Sequence, residues 1–396
     1  MDKINFRRMF TLAGLVSLVL IYAMLWIRMI TTQEQRVGAD FIALYSVGRI
    51  AQTDGFIAIY NTAKQQAIQA QVVGFIFNED QTAFFNHPPI FVPLIMLITS
   101  ANYIPSFIRW AIVLLVLNAI CAFFLVRTLP PGAFHKSELW TIGLGSFLFF
   151  PTFSGLINGQ DAQLLLLGAT IFLSEMLNNQ DRRAGLGLSL TTIRPHIALL
   201  LALPFIFKRR KIWWWFAGGT AVLVVFSILL IGIKGTENYL GILTISASGE
   251  GHKINEFPMV NFIGFLRRLA PGMPAQSTRL IGWIVYACAF ILLCAVWARS
   301  KNIGATQIGL AVLVAILAVP HLHYHDLVLL LIPIFCLMRL LAQKNLVSSK
   351  NLALLPLAIS LFMLPGFLGS QGSLGVPDEG LQDPAPWLFR ERRVWL

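Results

Sequence analysis

The amino-acid sequence predicts an all-α polytopic membrane protein, and three observations carry that expectation. Of 396 residues, 57% are hydrophobic and 12% charged, with a mean hydropathy of +0.72. Soluble domains carry about 25% charged residues, so an ordinary soluble globular protein is excluded. Apolar runs of spanning length recur along the chain. The excess of Lys and Arg over Asp and Glu, 30 against 18, sorts to one side of the bilayer once those runs are threaded, as retention of basic residues in cytoplasmic loops requires. The net charge of +12 therefore reads as topology, and no nucleic-acid partner is expected.

Taken in order, Lys3, Arg7 and Arg8 precede a first run from Phe10 to Ile30. It is long enough to span, and no small-residue cleavage site comes after it, so it reads as an uncleaved first helix. Further runs lie at 105–127, 138–155, 161–177, 212–233, 279–298, 303–319, 326–343 and 351–368. Two shorter pieces, 184–193 and 195–207, flank Arg194-Pro195. Proline lacks a donor N–H and disfavours helix in the residue before it, which predicts a break there. Pro88 to Ser100 is short for a span and fits an interfacial or re-entrant segment. About eleven crossings result, with residues 1–368 as one membrane domain and the Gly- and Pro-rich 369–396 as a tail.

With the N-terminus inside, the cytoplasmic side holds Arg127, Lys136, Arg182, Arg183, Lys208–Lys211, Arg299, Lys301, Arg339, Lys344 and Lys350. That side then carries the whole excess charge, and the outer side is neutral in sum. Trp213-Trp214-Trp215 after Lys208–Lys211 reads as an interfacial aromatic belt beside basic residues that meet anionic headgroups. The outer side owns the loop 31–104, the Gly159-Gln160-Asp161 corner, the loop 234–278 and the His321–Asp326 corner. Within 31–104, Phe41, Leu44, Tyr45 and Gly48, then Phe56, Ile59, Tyr60, Ala63 and Ala67, keep helical spacing and predict two amphipathic helices lying on the membrane surface. Cys121, Cys288, Cys294 and Cys336 lie in apolar runs and read as small buried hydrophobes.

The order of features resembles glycosyltransferase family 87. A first span is followed by Asp40-Phe41, then Gly55 and Tyr60, then an aromatic stretch ending His87-Pro88-Pro89. Gly159-Gln160, Ala184-Gly185-Leu186-Gly187, Arg194-Pro195, Asn261-Phe262 with Arg267-Arg268, and Pro320 to Asp326 complete the series. The resemblance implies a GT-C-like fold and a membrane mannosyltransferase-type enzyme whose donor is a polyprenyl-phosphate sugar, with no cofactor or metal. It implies Asp40 as catalytic base, and a site on the outer face of a cell membrane. Arg194, Arg267 and Arg268 would contact the donor phosphate, and Tyr45, His87, Gln160, His323, His325 and Asp326 the substrates. The acceptor would be a glycolipid or a cell-envelope glycan.

Each of these residues also has a plainer reading. Asp40 stands where a helix N-cap belongs. Arg194 could pair with Asp161 or Asp326 instead of phosphate, and Arg267-Arg268 could be a solvated face. Asp326 could cap its own span. The alternating histidines do not by spacing alone surround an ion; hydrogen bonding to sugar or phosphate suits them better. A transporter or flippase is the rival class; it predicts inverted halves with matching interrupted helices, which the sequence does not display. An O-antigen-ligase-like enzyme is a third reading, disfavoured by the modest size of 234–278.

Overall fold

The computed structural model describes residues 6–31, 40–74, 82–248 and 259–363; the tail 369–396 lies outside them. The described residues are helical, with no strand among them, as an all-α polytopic membrane protein requires, because in lipid only a helix satisfies its backbone within one segment. Among them, four helices are long and apolar enough to cross a membrane: α5 (Tyr103–Arg127), the Arg210–Ile245 part of α11 (Arg210–Ser248), α13 (Ala275–Arg299), and Tyr324–Gln343, which includes α15 (Leu331–Gln343). A fifth is the pair α6 (Lys136–Phe147) and α7 (Phe150–Asn158), bent by 41°, where Pro151 sits in the first turn of the second half. Shorter apolar helices are the 12–27 part of α1 (Phe6–Thr31), Pro89–Ile98, α8 (Ala162–Leu177), Pro195–Ile206, α14 (Ala305–Ala318) and Ser349–Met363.

Three local expectations are corrected. Within the loop expected at 234–278 the described residues are largely helical, because α11 continues through Gly232, whose φ of 66° interrupts it, and α12 (Phe262–Leu269) comes after it. The helix α2 (Phe41–Thr53) does not lie on a surface. Phe41, Leu44, Tyr45, Val47 and Ile50 are all buried, against α3 (Thr62–Val73), α4 (Val92–Ile98) and α5. The apolar spacing from Phe56 to Ala67 is not one helix either. Gly55 turns the chain at φ 83°, a single 3₁₀ turn covers 56–58, and Asn61 caps α3 by accepting from the Lys64 N–H at 3.0 Å.

The inward face of α3 is polar. Gln65 and Gln69 are buried, and their amides pair with backbone. Gln69 donates to the Ala83 carbonyl at 2.8 Å and accepts from its N–H at 3.1 Å, while Gln65 accepts from the Phe85 N–H at 2.9 Å and donates to the Ile59 carbonyl. A buried amide with its hydrogen bonds made costs little, and unmade it costs about 1–3 kcal/mol. This pairing holds the strap that ends at His87.

At the centre, α8 packs against α5 and α9 (Asp181–Ser189) and touches α14 and α15. Between helices in lipid, close packing rather than water exclusion supplies the association energy. A Cβ on Gly185 would come 2.5 Å from the Ile212 carbonyl oxygen, and one on Gly187 2.8 Å from the Phe172 nitrogen. The two glycines thus let α9 sit clamped between α8 and α11. The clamp also sets the course of the next residues, a 3₁₀ turn, the break at Arg194, and α10 (Pro195–Ala202). Of the cysteines, Cys121 and Cys336 are buried as expected, but Cys288 is exposed and Cys294 partly so. On α13, rich in outward apolar side chains such as Leu280 and Ile291, an exposed thiol faces the same apolar medium a buried one would.

Candidate active site

The predicted break at Arg194-Pro195 is where the site is built. Arg194 leaves helical geometry (φ −121°, ψ 84°) and Pro195 opens α10, its missing N–H falling where none is needed. Arg194 is 8% exposed, and its guanidinium meets a partner at each of its three nitrogens. Nη2 donates to Asp161 Oδ1 at 2.9 Å, Nη1 to His87 Nδ1 at 2.6 Å, and Nε lies 3.6 Å from Asp326 Oδ1. Of the two readings open for Arg194, the ion pair is the one the geometry displays, and with both candidate carboxylates at once.

Asp161 stands at the corner between α7 and α8, and is almost wholly buried. Burial, the largest single influence, would push its carboxyl up; the Arg194 guanidinium and the neighbouring histidines together outweigh it and hold the group well below the usual carboxylate range. His87 Nδ1 also lies 3.1 Å from Asp161 Oδ2. One nitrogen cannot both accept from Arg194 and donate to Asp161, and arginine never gives up its proton. Nδ1 therefore accepts, and Asp161 Oδ2 is left without a hydrogen bond, as is Asp326 Oδ1. Two buried carboxylate oxygens with lone pairs unused flank one cation.

His87 arrives on the strap that Gln65 and Gln69 hold, and the Tyr60 hydroxyl donates to its carbonyl at 2.6 Å. On the opposite wall the loop 319–323 leads into the turn Tyr324–Leu330. Here the cap is His323, not Asp326. Asp326 reaches back to accept from the His323 N–H at 3.3 Å, and it lies 3.6 Å from His325 Nε2. The rings of His321 and His323 meet edge to face at 4.6 Å. His196, directly after Pro195, lies with Nε2 3.2 Å from the His321 carbonyl. Five of the seven histidines of the chain thus gather around one arginine. Burial, then the neighbouring His325, pushes His323 down to about 4, so at neutral pH its ring is an uncharged donor and acceptor.

The Gly159 corner explains how Asp40 reaches this cluster. Gly159 has φ 70°, and a Cβ there would stand 2.5 Å from Phe41 Cβ. Only glycine permits both the turn and that approach, and the Trp110 indole fastens the Gly159 carbonyl at 2.8 Å. Asp40, next to Phe41, is exposed. Its carboxylate makes no capping hydrogen bond, so the plain capping role is not the one seen. It acts through space on both Arg194 and His323.

The remaining expected site residues fall less centrally. Tyr45 gives its hydroxyl to the Ser100 and Ala101 carbonyls at 3.1 and 2.8 Å, fastening α2 to the α4–α5 turn. Gln160 is half-buried beside Asp161, its N–H bonded to the Gly155 carbonyl. Arg267 and Arg268 end α12 and donate to the Met273 and Met259 carbonyls at 2.7 and 2.9 Å. That helix is tied to the histidine loop, since Asn261 Nδ2 donates to the Val319 carbonyl at 2.7 Å and Val260 N–H to Leu322 at 3.1 Å. His196 was not among the residues expected from sequence, where its only signal was a polar side chain directly after the Arg-Pro break.

The fold and this cluster together define a polytopic helical membrane protein with a buried Asp–Arg–Asp centre, flanking histidines and an exposed carboxylate coupled to them. The chain belongs to glycosyltransferase family 87, whose profile matches residues 84–320. The matched stretch contains His87, Asp161, Arg194, Arg267 and Arg268; Asp40 lies before it, and His321–Asp326 just after. No curated protein and no solved structure matches the chain.

Proposed function

We propose that this membrane glycosyltransferase takes a hexose, mannose in the first instance, from a polyprenyl-phosphate carrier. It places the sugar on a lipid-linked or cell-envelope glycan on the non-cytoplasmic face of a cell membrane. The observation that carries this reading is Asp40, a carboxylate without a capping bond, set beside the buried Asp161–Arg194–Asp326 centre. In the reaction an acceptor hydroxyl attacks the anomeric carbon, the bond from that carbon to the phosphate oxygen breaks, and the hydroxyl proton passes to Asp40. One displacement inverts the anomeric configuration. Phosphate is a competent leaving group, so the second carboxylic acid of a glycosidase is not needed, and a positioned base contributes roughly 10²–10⁴-fold.

The Asp161 and Asp326 oxygens that accept no hydrogen bond suit sugar hydroxyls, and His323 and His325 would line the same wall. Arg194, compensated by two carboxylates, is better suited to hold this geometry than to contact the donor phosphate directly. The leaving charge then falls to Arg267 and Arg268 at the rim and to a histidine that takes a proton when phosphate arrives, as cationic donors at a developing anion require. The test is full-length protein in nanodiscs, given polyprenyl-phosphate mannose and a lipid extract as acceptor. Labelled glycolipid forms with wild type and falls at least about a hundredfold with Asp40→Asn. Equal transfer by Asp40→Asn overturns the base assignment, and movement of the donor across the bilayer without product favours the flippase reading.

A further inference from the structure

A polar cavity of about 540 Å³, apart from the Arg194 cluster, opens between α2, α3 and the turn that leads into α5. Its wall includes Tyr45, Arg49, Asp54, Lys64, Asn102 and Tyr103, and it holds none of the residues around Arg194. Within the range of small-ligand sites, it is sized for a sugar with a charged substituent. Its charges are unbalanced. Lys64 pairs with Asp54, which also accepts from Thr53 at 2.7 Å. Arg49 meets the neutral amide oxygen of Gln52 at 2.9 Å, and no ion pair to it is found among the described residues. The wall thus carries one cation in excess. Tyr45 and Tyr103 stand edge to face at 5.2 Å, and the bonds of the Tyr45 hydroxyl hold this pair in place.

Location supplies the rest. Arg49 lies nine residues along α2 from Asp40, roughly 13 Å at 1.5 Å per residue, so a short glycan anchored at Arg49 can present its far end at the carboxylate. From Ala101 on the cavity wall the chain runs back through Ser100 to Thr99, where α4 ends. On that helix Leu97 is 76% exposed, an apolar surface for a lipid tail. We propose that this cavity binds the phosphorylated polyol headgroup of the glycolipid acceptor, with Arg49 on the phosphate and Asn102 and Lys64 within reach of hydroxyls. The purpose of the site rests on the glycosyltransferase reading; its occupancy does not.

The test measures binding to the full-length protein by native mass spectrometry and by titration. Two probes are used: phosphatidylglycerol in phosphatidylcholine nanodiscs, and a soluble hexose phosphate in detergent. Arg49→Gln is expected to weaken binding about tenfold, the size of one charge-assisted hydrogen bond, with Arg49→Lys restoring part of it and thermal unfolding unchanged in both. Asp40→Asn leaves binding intact. Binding of the lipid alone assigns the site to a bilayer headgroup, and binding of both probes to the phosphate-bearing polyol itself. Binding of neither, or equal binding by wild type and Arg49→Gln, overturns the proposal. If Arg49→Gln binds as wild type while Asp40→Asn loses transfer, the cavity proposal fails and the enzymatic reading stands. If Arg49→Gln loses binding in a chain that transfers no sugar, the reverse holds.

Discussion

Two Arg–Asp pairs lie at opposite ends of the α9–α10 segment, and they differ in everything but their chemistry. Arg209 bonds Asp181 where both side chains are about a fifth exposed, and it also donates to the Met176 carbonyl at 3.1 Å. One cation there meets one anion, close to Trp215, whose ring carries Arg182 at 4.4 Å. Arg194 is buried between two carboxylates, with a third, the exposed Asp40, within electrostatic reach. The outer pair, outer in the sense of more exposed, fastens a helix end where solvent reaches it, and there such a bridge contributes little. The inner one keeps an excess of negative charge away from water at considerable cost, which a fold tolerates where polar substrates are handled.

The largest expected effect breaks the inner pair. Arg194→Gln leaves two buried carboxylates facing each other and should destabilise by about 3–5 kcal/mol, with loss of transfer. Thermal unfolding of the detergent-solubilised protein measures it, and an unchanged midpoint would show that the site relaxes into solvent. Next comes Asp40→Asn, expected to lower kcat at least about a hundredfold while leaving the unfolding midpoint within a degree or two, since its side chain caps nothing. A loss of stability instead would make Asp40 a fold residue like Asp181.

A pH series sharpens the comparison from the histidine side. His323 titrates near 4 when folded, because burial and then His325 oppose its proton, and near 6.5 when unfolded. The unfolded chain therefore takes up the proton first as pH falls. Stability is full above about pH 6.5 and declines between 6.5 and 4. Unfolding midpoints across that window should fall less steeply in His323→Gln; a parallel slope would assign the effect to other groups. The smallest change is expected from Arg209→Gln, within about 1 kcal/mol and with transfer intact. A larger loss would mean that the outer pair also positions α10.

Part of this organisation was legible in the residues. The break at Arg194-Pro195 could be read from proline's missing donor and residues 159–161 as a corner, though that a side chain at 159 would strike Phe41 could not. The long apolar runs at 105–127 and 279–298 became single helices. What escaped was in one case local and otherwise set by partners distant in sequence. Phe56 to Ala67 keeps helical spacing yet is cut by Gly55 and Asn61, because local turn geometry overrode periodicity. Gln65 and Gln69 look like a solvated face until the backbone at 83–85 is laid against them. That Arg194 pairs with Asp161, 33 residues before it, and with Asp326, 132 after, could be proposed but not chosen over a phosphate contact until the helices were placed. The two buried oxygens left without hydrogen bonds have no signature in sequence at all.

The amide pairs of Gln65 and Gln69 read only backbone atoms of the strap, and that decides which changes its positions can absorb over evolutionary time. Ala83 can be exchanged for many side chains without loosening its grip, since neither the donor nor the acceptor it offers belongs to its side chain. Proline alone is forbidden there for want of an N–H. Variation tolerated at 83, with proline never among the variants, would be the inherited trace of a fastening whose purpose lies four residues downstream, at His87.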